Sequence, residues 1–592
     1  MAADPLPGQG RSGAFARGPG YLRGFVLQRV ASLSYPGTDA EQLLLAPQDL
    51  RTADPSFATE IYNGHFGLAG SLVELGAQSP FAIRPPSEGW ARELYGFGWL
   101  RHLRVAGSTL SREQAKVLLN DFLTMHKRVQ GLAWLPEVVG RRVISWLSNS
   151  VVVLDASDPA SYQTFLRALS AHLRYLSASY RDAPDGLPRL LSLMALIYAG
   201  LCIAEQQAVL ERYLKHLCKE IERQVLPDGG HISRNPVALV ELLLDLLPLR
   251  QCFVARDRLP PKPITDAIDR AMPMVRFFRL GDGTLARFNG GGATAADAVA
   301  TVLAYDDTDG APLTAAPNSG YVRMERGPTL VLADVAPAPV TSVSAGAHAG
   351  CFSIEMSSGE NLLVVNCGAP TPHYEDWRIV ARTTPAHSVL TFDDASSATF
   401  GSGANGSSLA PNAPLAGPPN VKVSLSESED GLELKGSHEG YLGRYGVSYA
   451  RKLLLTPDGL LIAGMDKLFA PRGLKGEAQT SGGGYAVRFH LHPSVKAGLS
   501  DDERSAVLVF PNGEEWTLTA DTPTISVEES VFLADERGPR RTSQVVLAGG
   551  MEEEREVTVN WVLERSAAPG EAEIPESDAA EIAESGAEPE ED

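Results

Sequence analysis

The sequence predicts a chain of two structural parts, an N-terminal part built of α-helices and a C-terminal part built of antiparallel β-sheets packed face to face. Between about residues 21 and 280, apolar side chains recur at steps of three and four, which is the helical period. After Asn318-Ser319-Gly320 the period changes to two, as in strands. The 592 residues are 44% hydrophobic and 21% charged, enough apolar surface for two or three globular domains.

The helical part combines two kinds of helix. Asp158 and Pro159 are typical of an N-cap and a first helical position, and the apolar residues from 162 to 176 then keep to one stripe. The run 190–204, of about 15 residues, is apolar nearly all round but too short to span a bilayer, so we expect a helix covered on both sides. Pro236 begins another apolar helix, predicted to reach Leu247. Covered helices joined by loops favour an arrangement in a ring.

The C-terminal part contains short runs of alternating apolar residues separated by turn sequences such as Pro-Asp-Gly at 457–459. Many short strands with Gly and Pro between them are typical of packed antiparallel sheets. The stretch 396–419, rich in Ser, Gly, Asn and Pro, is predicted to be a surface loop. We expect strands at 329–335, 351–356, 362–365, 421–425, 452–455, 460–465, 506–510 and 516–518.

Charge is concentrated at the C-terminus. The formal net charge is -20, and residues 566–592 contain ten acidic residues and no Lys or Arg, so the rest of the chain carries about -10. This balance argues against nucleic acid as a partner. The acidic tail contains too few large apolar residues to order itself, and we assign it no structure.

The cysteines and the N-terminus indicate the cellular compartment of the protein. Five scattered cysteines without a C-x-x-C spacing predict neither a disulfide framework nor a thiolate zinc site, and they favour a reducing compartment. The N-terminus, of which residues 1–20 are predicted to be flexible, has no apolar run of signal-peptide length, and we expect no export signal.

The segment 347–394 carries the most informative pattern. It resembles the start of the C-terminal domain of the heparinase II/III family of polysaccharide lyases, in which a His-x-His-x-Asp motif leads through an acidic position to Trp-Arg, Arg-Ser/Thr-Thr and Ala-His. The matching residues here are His348, Asn366 at the acidic position, Trp377, Arg378, Arg382, Ala386 and His387. The sequence departs from the family at Gly346, where the first, catalytic His is usual, and at Gly350, which replaces the Asp.

The N-terminal part resembles the same family at residues 94–100 and 228–236, the second of which reads Asp-Gly-Gly-His-Ile-Ser-Arg-Asn-Pro. The resemblance implies the fold, an incomplete (α/α) toroid over residues 21–310 followed by a β-sandwich over 318–565, with a disordered tail at 566–592. It also implies β-elimination of a uronic-acid polysaccharide of the heparin, heparan or alginate kind. An anionic polysaccharide is then the expected partner, with a homodimer left open, and the cell envelope or periplasm is the expected location, with the cytoplasm as the alternative.

A uronate lyase must neutralise the carboxylate beside C5, remove the C5 proton and protonate the leaving oxygen. The resemblance places His231 as the base, and Asn235 or Arg234 as the neutralising group. Each of these residues also has a structural alternative to catalysis. His231 would be an exposed loop residue, Asn235 a helix N-cap and Arg234 a solvated charge. The family's Tyr-His positions are Ala238 and Leu239 here, so the aromatic base would have to be Tyr62, Tyr95 or Tyr321.

Substrate and metal ligands follow from the same resemblance. Arg378 and Arg382 are predicted to bind the substrate, and Trp99 to stack on a sugar ring, although a tryptophan at helical spacing is more often in the core. His348, Asn366 and His387 match the structural zinc positions. Because an amide oxygen is a poorer zinc ligand than a carboxylate, a metal-free polar cluster is the alternative, and zinc is the one cofactor that the resemblance implies.

The departures from the family pattern leave two other functions open. One is a glycan-binding or scaffolding relative without catalysis, which the residues at 238, 346, 350 and 366 favour. The other is a glycoside hydrolase, which needs two carboxylates across a cleft. Asp228 and Glu241 are the local candidates for that pair.

Overall fold

The computed structural model describes residues 35–76, 78–155, 157–307, 310–401, 412–471, 483–551 and 556–566. The chain divides into two compact units. The first, the helical unit, comprises Met1–Asp49, Ala53–Cys218 and Pro248–Leu259, and the second, the sheet unit, comprises Leu50–Thr52, Lys219–Leu247 and Pro260–Asp592. The predicted flexible segment 1–20 and the acidic tail after Ser566 lie outside the described residues. Within the described ranges, no helix is long and apolar enough to cross a membrane.

Helices dominate the described chain up to residue 307, apart from one hairpin of β1 (His65–Leu68) and β2 (Ser71–Glu74). The helices are α1 (Ser56–Tyr62), α2 (Glu88–Gly96), α3 (Leu100–Ala106), α4 (Thr109–Met125), α5 (Pro136–Ser148), α6 (Ser150–Leu154), α7 (Pro159–Ser179), α8 (Leu187–Cys202), α9 (Gln207–Gln224), α10 (Pro236–Ala255), α11 (Lys262–Phe278) and α12 (Ala296–Leu303). A short 3₁₀ turn at Leu132–Trp134 precedes α5.

The local signals for the helices are confirmed. The Asp158 carboxylate accepts hydrogen bonds from the backbone N–H groups of Ala160 and Ser161, at 2.8 and 2.9 Å, and Pro159 is the first residue of α7. Helix α8 is buried along nearly its whole length, as its uniformly apolar sequence predicts.

Helix α10 begins at Pro236 as predicted, but it does not end at Leu247. It continues to Ala255 with Pro248 inside it. A proline in a helix interior costs about 3 kcal/mol because one backbone hydrogen bond is lost. Residues 242–249 are all buried, and burying so many leucines offsets that local cost.

Seventeen further strands of the described chain form two antiparallel sheets, both within the sheet unit. The nine-stranded sheet has the order β19-β20-β15-β7-β6-β5-β4-β3, with β8 beside β15, and the eight-stranded sheet has the order β11-β12-β13-β14-β21-β18-β17-β16. The strands of the first sheet are β3 (Ala315–Ala316), β4 (Tyr321–Arg326), β5 (Thr329–Asp334), β6 (Ile354–Ser358), β7 (Asn361–Val365), β8 (Leu390–Phe392), β15 (Gly484–Leu491), β19 (Thr524–Phe532) and β20 (Arg540–Gly550). Those of the second are β11 (Lys422–Ser428), β12 (Gly431–His438), β13 (Ser448–Leu455), β14 (Leu461–Phe469), β16 (Lys496–Leu499), β17 (Ser505–Val509), β18 (Glu515–Ala520) and β21 (Glu556–Arg565).

Smaller elements complete the sheet unit. The predicted surface loop at 396–419 is described only at its ends, where β9 (Thr399–Phe400) pairs with β10 (Leu415–Ala416). Two short helices follow the strands β7 and β12, namely α13 (Trp377–Ala381) and α14 (Leu442–Tyr445). The rest of that loop falls outside the described residues.

The two sheets share one hydrophobic core, so they pack face to face as the sequence predicts. Val331 and Met356 come from the nine-stranded sheet, and Leu453 comes from the eight-stranded sheet. On β14 every second residue is buried, which is the pattern of a strand with one face on a core. Gly464 lies opposite Trp561, and a Cβ there would lie 2.0 Å from the indole ring, so this position accepts only glycine.

Candidate functional site

The loop between α9 and α10 carries the three predicted catalytic residues, all within the sheet unit. His231 is buried, with its Nε2 3.2 Å from Gln224 Oε1 and its Nδ1 2.7 Å from Ser233 Oγ. An amide oxygen only accepts, so Nε2 carries the proton and Nδ1 accepts from the Ser233 hydroxyl. Both ring nitrogens therefore have partners inside the protein, and His231 is not an exposed loop residue.

Arg234 is a buried structural residue and not a solvated charge. Its guanidinium donates to the carbonyl oxygens of Ser319 and Gly320, at 2.7 and 2.9 Å, and forms an ion pair with Asp334. It also lies 4.9 Å from the centre of the Tyr321 ring. The charge that was expected to neutralise a substrate carboxylate is thus neutralised by a carboxylate of the chain itself.

Asp334 belongs to a hydrogen-bonded network that extends from Arg234 toward His348. Asn289 donates from Nδ2 to Tyr321 Oη at 2.8 Å and to Asp334 Oδ2 at 2.9 Å, and its Oδ1 accepts from the backbone N–H of His348 at 3.3 Å. The Tyr321 hydroxyl donates in turn to the carbonyl of Arg234. Burial raises the pKa of Tyr321, so this tyrosine is protonated and acts as a donor, not as a base.

Asn235 is the N-cap of α10. Its side-chain Oδ1 accepts from the backbone N–H of Val237 at 2.9 Å, and Pro236 is the first helical residue. The capping alternative is therefore confirmed. The side chain is partly exposed, so it remains the predicted catalytic residue that is most open to solvent.

His348 and His387 contact each other in the interior. His348 Nδ1 lies 3.1 Å from His387 Nε2, and His387 Nδ1 lies 2.8 Å from the carbonyl oxygen of Thr383. Because a carbonyl only accepts, His387 is protonated at Nδ1 and its Nε2 accepts from His348. Burial lowers the pKa of His387 to about 4, and burial followed by the neighbouring His387, Arg382 and Arg378 lowers that of His348, so both rings are neutral at pH 7.

Asn366 does not complete a metal site with these histidines. Its Oδ1 accepts from the backbone N–H of Ser388 at 3.0 Å, and its Nδ2 donates to Glu355 Oε1 at 3.3 Å. Glu355 is in turn ion-paired with Arg287. No group of three His, Cys, Asp or Glu side chains is placed to hold a metal in the part of the chain that the structure describes. The residues present do not fit a structural zinc ion, which takes four ligands.

The two glycines that replace family residues lie beside this histidine pair. A Cβ on Gly350 would be 2.7 Å from the His387 ring, so that ring occupies the space a larger residue at position 350 would need. A Cβ on Gly346 would lie 4.0 Å from Arg378 Nη2. Arg378, partly exposed, is thus next to the position where the family has its catalytic His.

The other two predicted substrate-binding residues are buried. Arg382 donates to the carbonyl oxygens of Ala347 and Ser344, at 2.9 and 3.1 Å, and is 1% exposed. Trp99 lies in the helical unit and donates from Nε1 to the carbonyl oxygen of Leu94 at 3.0 Å. Its ring packs on Phe97, so in this structure both Arg382 and Trp99 are core residues.

Sequence reasoning missed Asp334, which is ion-paired with Arg234, and Asn289, which donates a hydrogen bond to Asp334. The one signal for Asp334 is its place at the end of the strand Thr329–Asp334, whose six residues are all buried. A carboxylate in such a strand requires a partner. Nothing in the sequence says that this partner lies 100 residues earlier.

Comparison with known proteins agrees with the fold. Residues 308–562 match the family profile described as "Heparinase II/III-like, C-terminal". The chain is also 31% identical over 539 residues to FtsZ-localized protein C of Caulobacter vibrioides (strain NA1000 / CB15N), a match that covers 89% of this chain and 91% of that protein. The chain belongs to the heparinase II/III-like family.

Two solved structures of heparinase II/III-like proteins share the fold. Heparinase III matches with a TM-score of 0.68 and 13% identity, covering 92% of this chain and 89% of its own. Heparan sulfate lyase HepC from Pedobacter heparinus matches with a TM-score of 0.56 and 14% identity, and the match covers 91% of this chain and 87% of the HepC chain. The predicted fold class, a helical toroid followed by an antiparallel β-sandwich, is confirmed, and at these identities the likeness concerns the fold alone.

Arg234→Ala is expected to lower the free energy of unfolding by about 3–5 kcal/mol, because it leaves the Asp334 carboxylate buried without its counter-charge. Urea unfolding followed by tryptophan fluorescence measures this change. Arg326→Ala removes an arginine that is paired with Glu427 near the surface, and it should change the free energy by less than about 1 kcal/mol. Equal effects of the two substitutions would contradict the structural role of Arg234.

Metal analysis of the purified chain is expected to find well under one zinc ion per molecule. The reason is that, among the residues that the structure describes, the histidine pair has no third imidazole, thiolate or carboxylate placed to bind the metal. Inductively coupled plasma mass spectrometry after dialysis against zinc-containing and then zinc-free buffer gives the stoichiometry. One zinc per chain that survives the second dialysis would show that Asn366 or another group completes the site.

Proposed function

We propose that this heparinase-fold chain does not cleave polysaccharides by β-elimination and that it serves as a binding or scaffolding protein of the cell-division apparatus. The observation that carries the first half is the buried pairing of Arg234 with Asp334. The role in cell division is supported by the name of a relative that aligns with about nine-tenths of this chain.

The candidate arginine, histidine and buried tyrosine for β-elimination each have another task in this chain. Arg234 is ion-paired with Asp334, and His231 has partners at both ring nitrogens. Tyr321 donates its only proton to a backbone carbonyl. Releasing Arg234 for a substrate would break a buried ion pair, at a cost of about 3–5 kcal/mol. A lyase would have to recover that energy from its substrate before any chemistry began.

A glycoside hydrolase has even less support. Asp228 accepts hydrogen bonds from the backbone N–H and hydroxyl of Ser319, at 2.7 and 2.6 Å. Glu241 is ion-paired with Arg51 at 2.8 Å. The two carboxylates that were candidates for acid and nucleophile therefore have separate structural partners, and we do not propose hydrolysis.

The relative is named for its localisation with FtsZ. We infer the same association for this chain because the two proteins align over 539 residues at 31% identity. None of the five cysteines, all of which lie in the described residues, is in a disulfide bond, which supports a location in a reducing compartment rather than the cell envelope.

The enzymatic half is tested by an absorbance assay for unsaturated uronate. Purified chain is incubated with heparan sulfate, chondroitin sulfate, alginate and glucuronan, with an active heparinase as the positive control. We expect no rise above the protein-free reaction, since no neutralising cation or free base is available at the loop 228–236. A reproducible rise with any substrate would overturn this half of the proposal.

The localisation half is tested in Caulobacter vibrioides cells in which a fluorescent fusion of this chain replaces the FtsZ-localized relative. We expect the fusion to form a band at the division plane and to disperse when FtsZ is depleted. A matched fusion of the fluorescent protein alone shows the unlocalised pattern. Uniform fluorescence before depletion would refute the association without affecting the result of the lyase assay.

A further inference from the structure

The strand β11 lies at an open edge of the eight-stranded sheet. It pairs with β12 on one side, and on its other side no strand of the described chain pairs with it. Six of its seven residues are exposed. Backbone N–H and C=O groups along such an edge are free to pair with the strand of another chain. The edge at β11 therefore offers a surface to which a further strand can be added.

The other three strands that end the two large sheets are protected against such pairing. The strands β3 and β16 are only two and four residues long. The strand β19 has nine residues, but Glu528 and Glu529 are exposed in its middle. Short strands and charged side chains keep sheet edges from pairing with other chains. In β11 the residues 423–426, Val-Ser-Leu-Ser, include neither a charge nor a proline, so this strand has no such protection at its centre.

The hairpin of β11 and β12 determines which backbone groups reach the open edge. Ser428 pairs with Gly431 across a turn of two residues. Residues that flank a two-residue turn exchange both of their backbone hydrogen bonds, and such pairs alternate along the strands with pairs that exchange none. The N–H and C=O groups of Val423, Leu425 and Glu427 therefore point away from β12, toward the open edge.

The side chains of the same three residues lie on the face of β11 that is turned toward the nine-stranded sheet. Leu425 packs against the core that the two sheets share, and Glu427 is ion-paired with Arg326 of β4. Val423 lies on the same face because it is two residues before Leu425, and it is 48% exposed. The core is thus incompletely covered at this edge, and one more strand would cover it.

The strand β11 is complementary to a second copy of itself. Antiparallel pairing about a two-fold axis at Leu425 places this residue opposite its own counterpart, and Val423 opposite Glu427. All of the outward N–H and C=O groups of these residues then have partners. Lys422 of one copy lies diagonally across from Asp430 of the other, within reach of its carboxylate. A strand with a cation at its start and an anion beyond its end matches an antiparallel copy and not a parallel one.

We propose that the chain forms a two-fold symmetric dimer in which β11 pairs with β11 of a second copy. The eight-stranded sheets of the two copies then form one continuous sheet. About six backbone hydrogen bonds and the burial of Val423 and Leu425 stabilise the contact. The dimer is independent of the function proposed above, since neither the loop 228–236 nor FtsZ takes part in it.

The mass of the full chain in solution tests the proposal. Size-exclusion chromatography with light scattering measures this mass at protein concentrations from about 1 to 100 μM. We expect twice the mass of one chain at the upper end of this range. The mass of a single chain at about 100 μM would overturn the proposal, and the edge would then be open to another protein or to a different segment of the chain.

Matched charge changes at Val423 test the pairing about Leu425. Val423→Glu places a second carboxylate opposite Glu427, twice in each dimer, and should weaken association by about tenfold or more. Val423→Lys places a cation there and should leave the dimer at least as tight. Val254→Glu, the same change on an exposed valine of α10, should have no effect on association.

The thermal unfolding midpoint of each variant shows whether it is folded, and we expect all three to fold because both valines are exposed. A dimer that Val423→Glu does not weaken would overturn the pairing through β11. Equal weakening by Val423→Glu and Val423→Lys would overturn the pairing about Leu425.

Cross-linking by introduced cysteines gives a second readout. Leu425→Cys places two thiols opposite each other across the two-fold axis, with Cα atoms about 5.5 Å apart, which suits a disulfide. Val423→Cys places them about 14 Å apart, which is too far. After oxidation with diamide, a covalent dimer is expected from Leu425→Cys but not from Val423→Cys or the unmodified chain. No covalent dimer from Leu425→Cys, or equal cross-linking of the two variants, would refute the proposed contact.

Discussion

The buried ion pair between Arg234 and Asp334 determines what the family-site region of this protein can do. It joins the loop before α10 to the end of β5, two segments of the sheet unit separated by 100 residues. Both side chains are nearly inaccessible, at 6% and 3% exposure. In such surroundings a charge is tolerated only with its partner, so each residue fixes the other and neither is available to a ligand.

The rest of the site follows from this pairing. Asp334 also accepts from Asn289, whose carbonyl oxygen holds the backbone of His348, and His348 contacts His387. Residues that resemble lyase and zinc positions are thereby joined in one internal hydrogen-bonded network. At Gly346 and Gly350 the side chains that the family pattern has are absent, and Asn366 is hydrogen-bonded to Ser388 and Glu355.

Much of the fold could be predicted because its signals are local. The N-cap at Asp158, the period of two in β14 and the turn glycines depend on neighbours within a few residues. The capping role of Asn235 could be predicted for the same reason, because it depends only on neighbouring residues. The burial of Arg234 was not, since it depends on Asp334 and on carbonyl oxygens from a distant segment. Trp99 shows a related limit, because a sequence does not distinguish an aromatic residue in a core from one in a cleft.

A double-mutant cycle on Arg234 and Asp334 tests the central claim most directly. The free energies of unfolding of Arg234→Met, Asp334→Asn and the double variant are compared with that of the unmodified chain. If each residue stabilises the fold only when the other is present, the double variant should be more stable than the sum of the two single effects predicts. The coupling energy should then be about 2–3 kcal/mol. Additive effects within about 0.5 kcal/mol would show that the two residues act independently, and the site would then have to be regarded as open to a substrate.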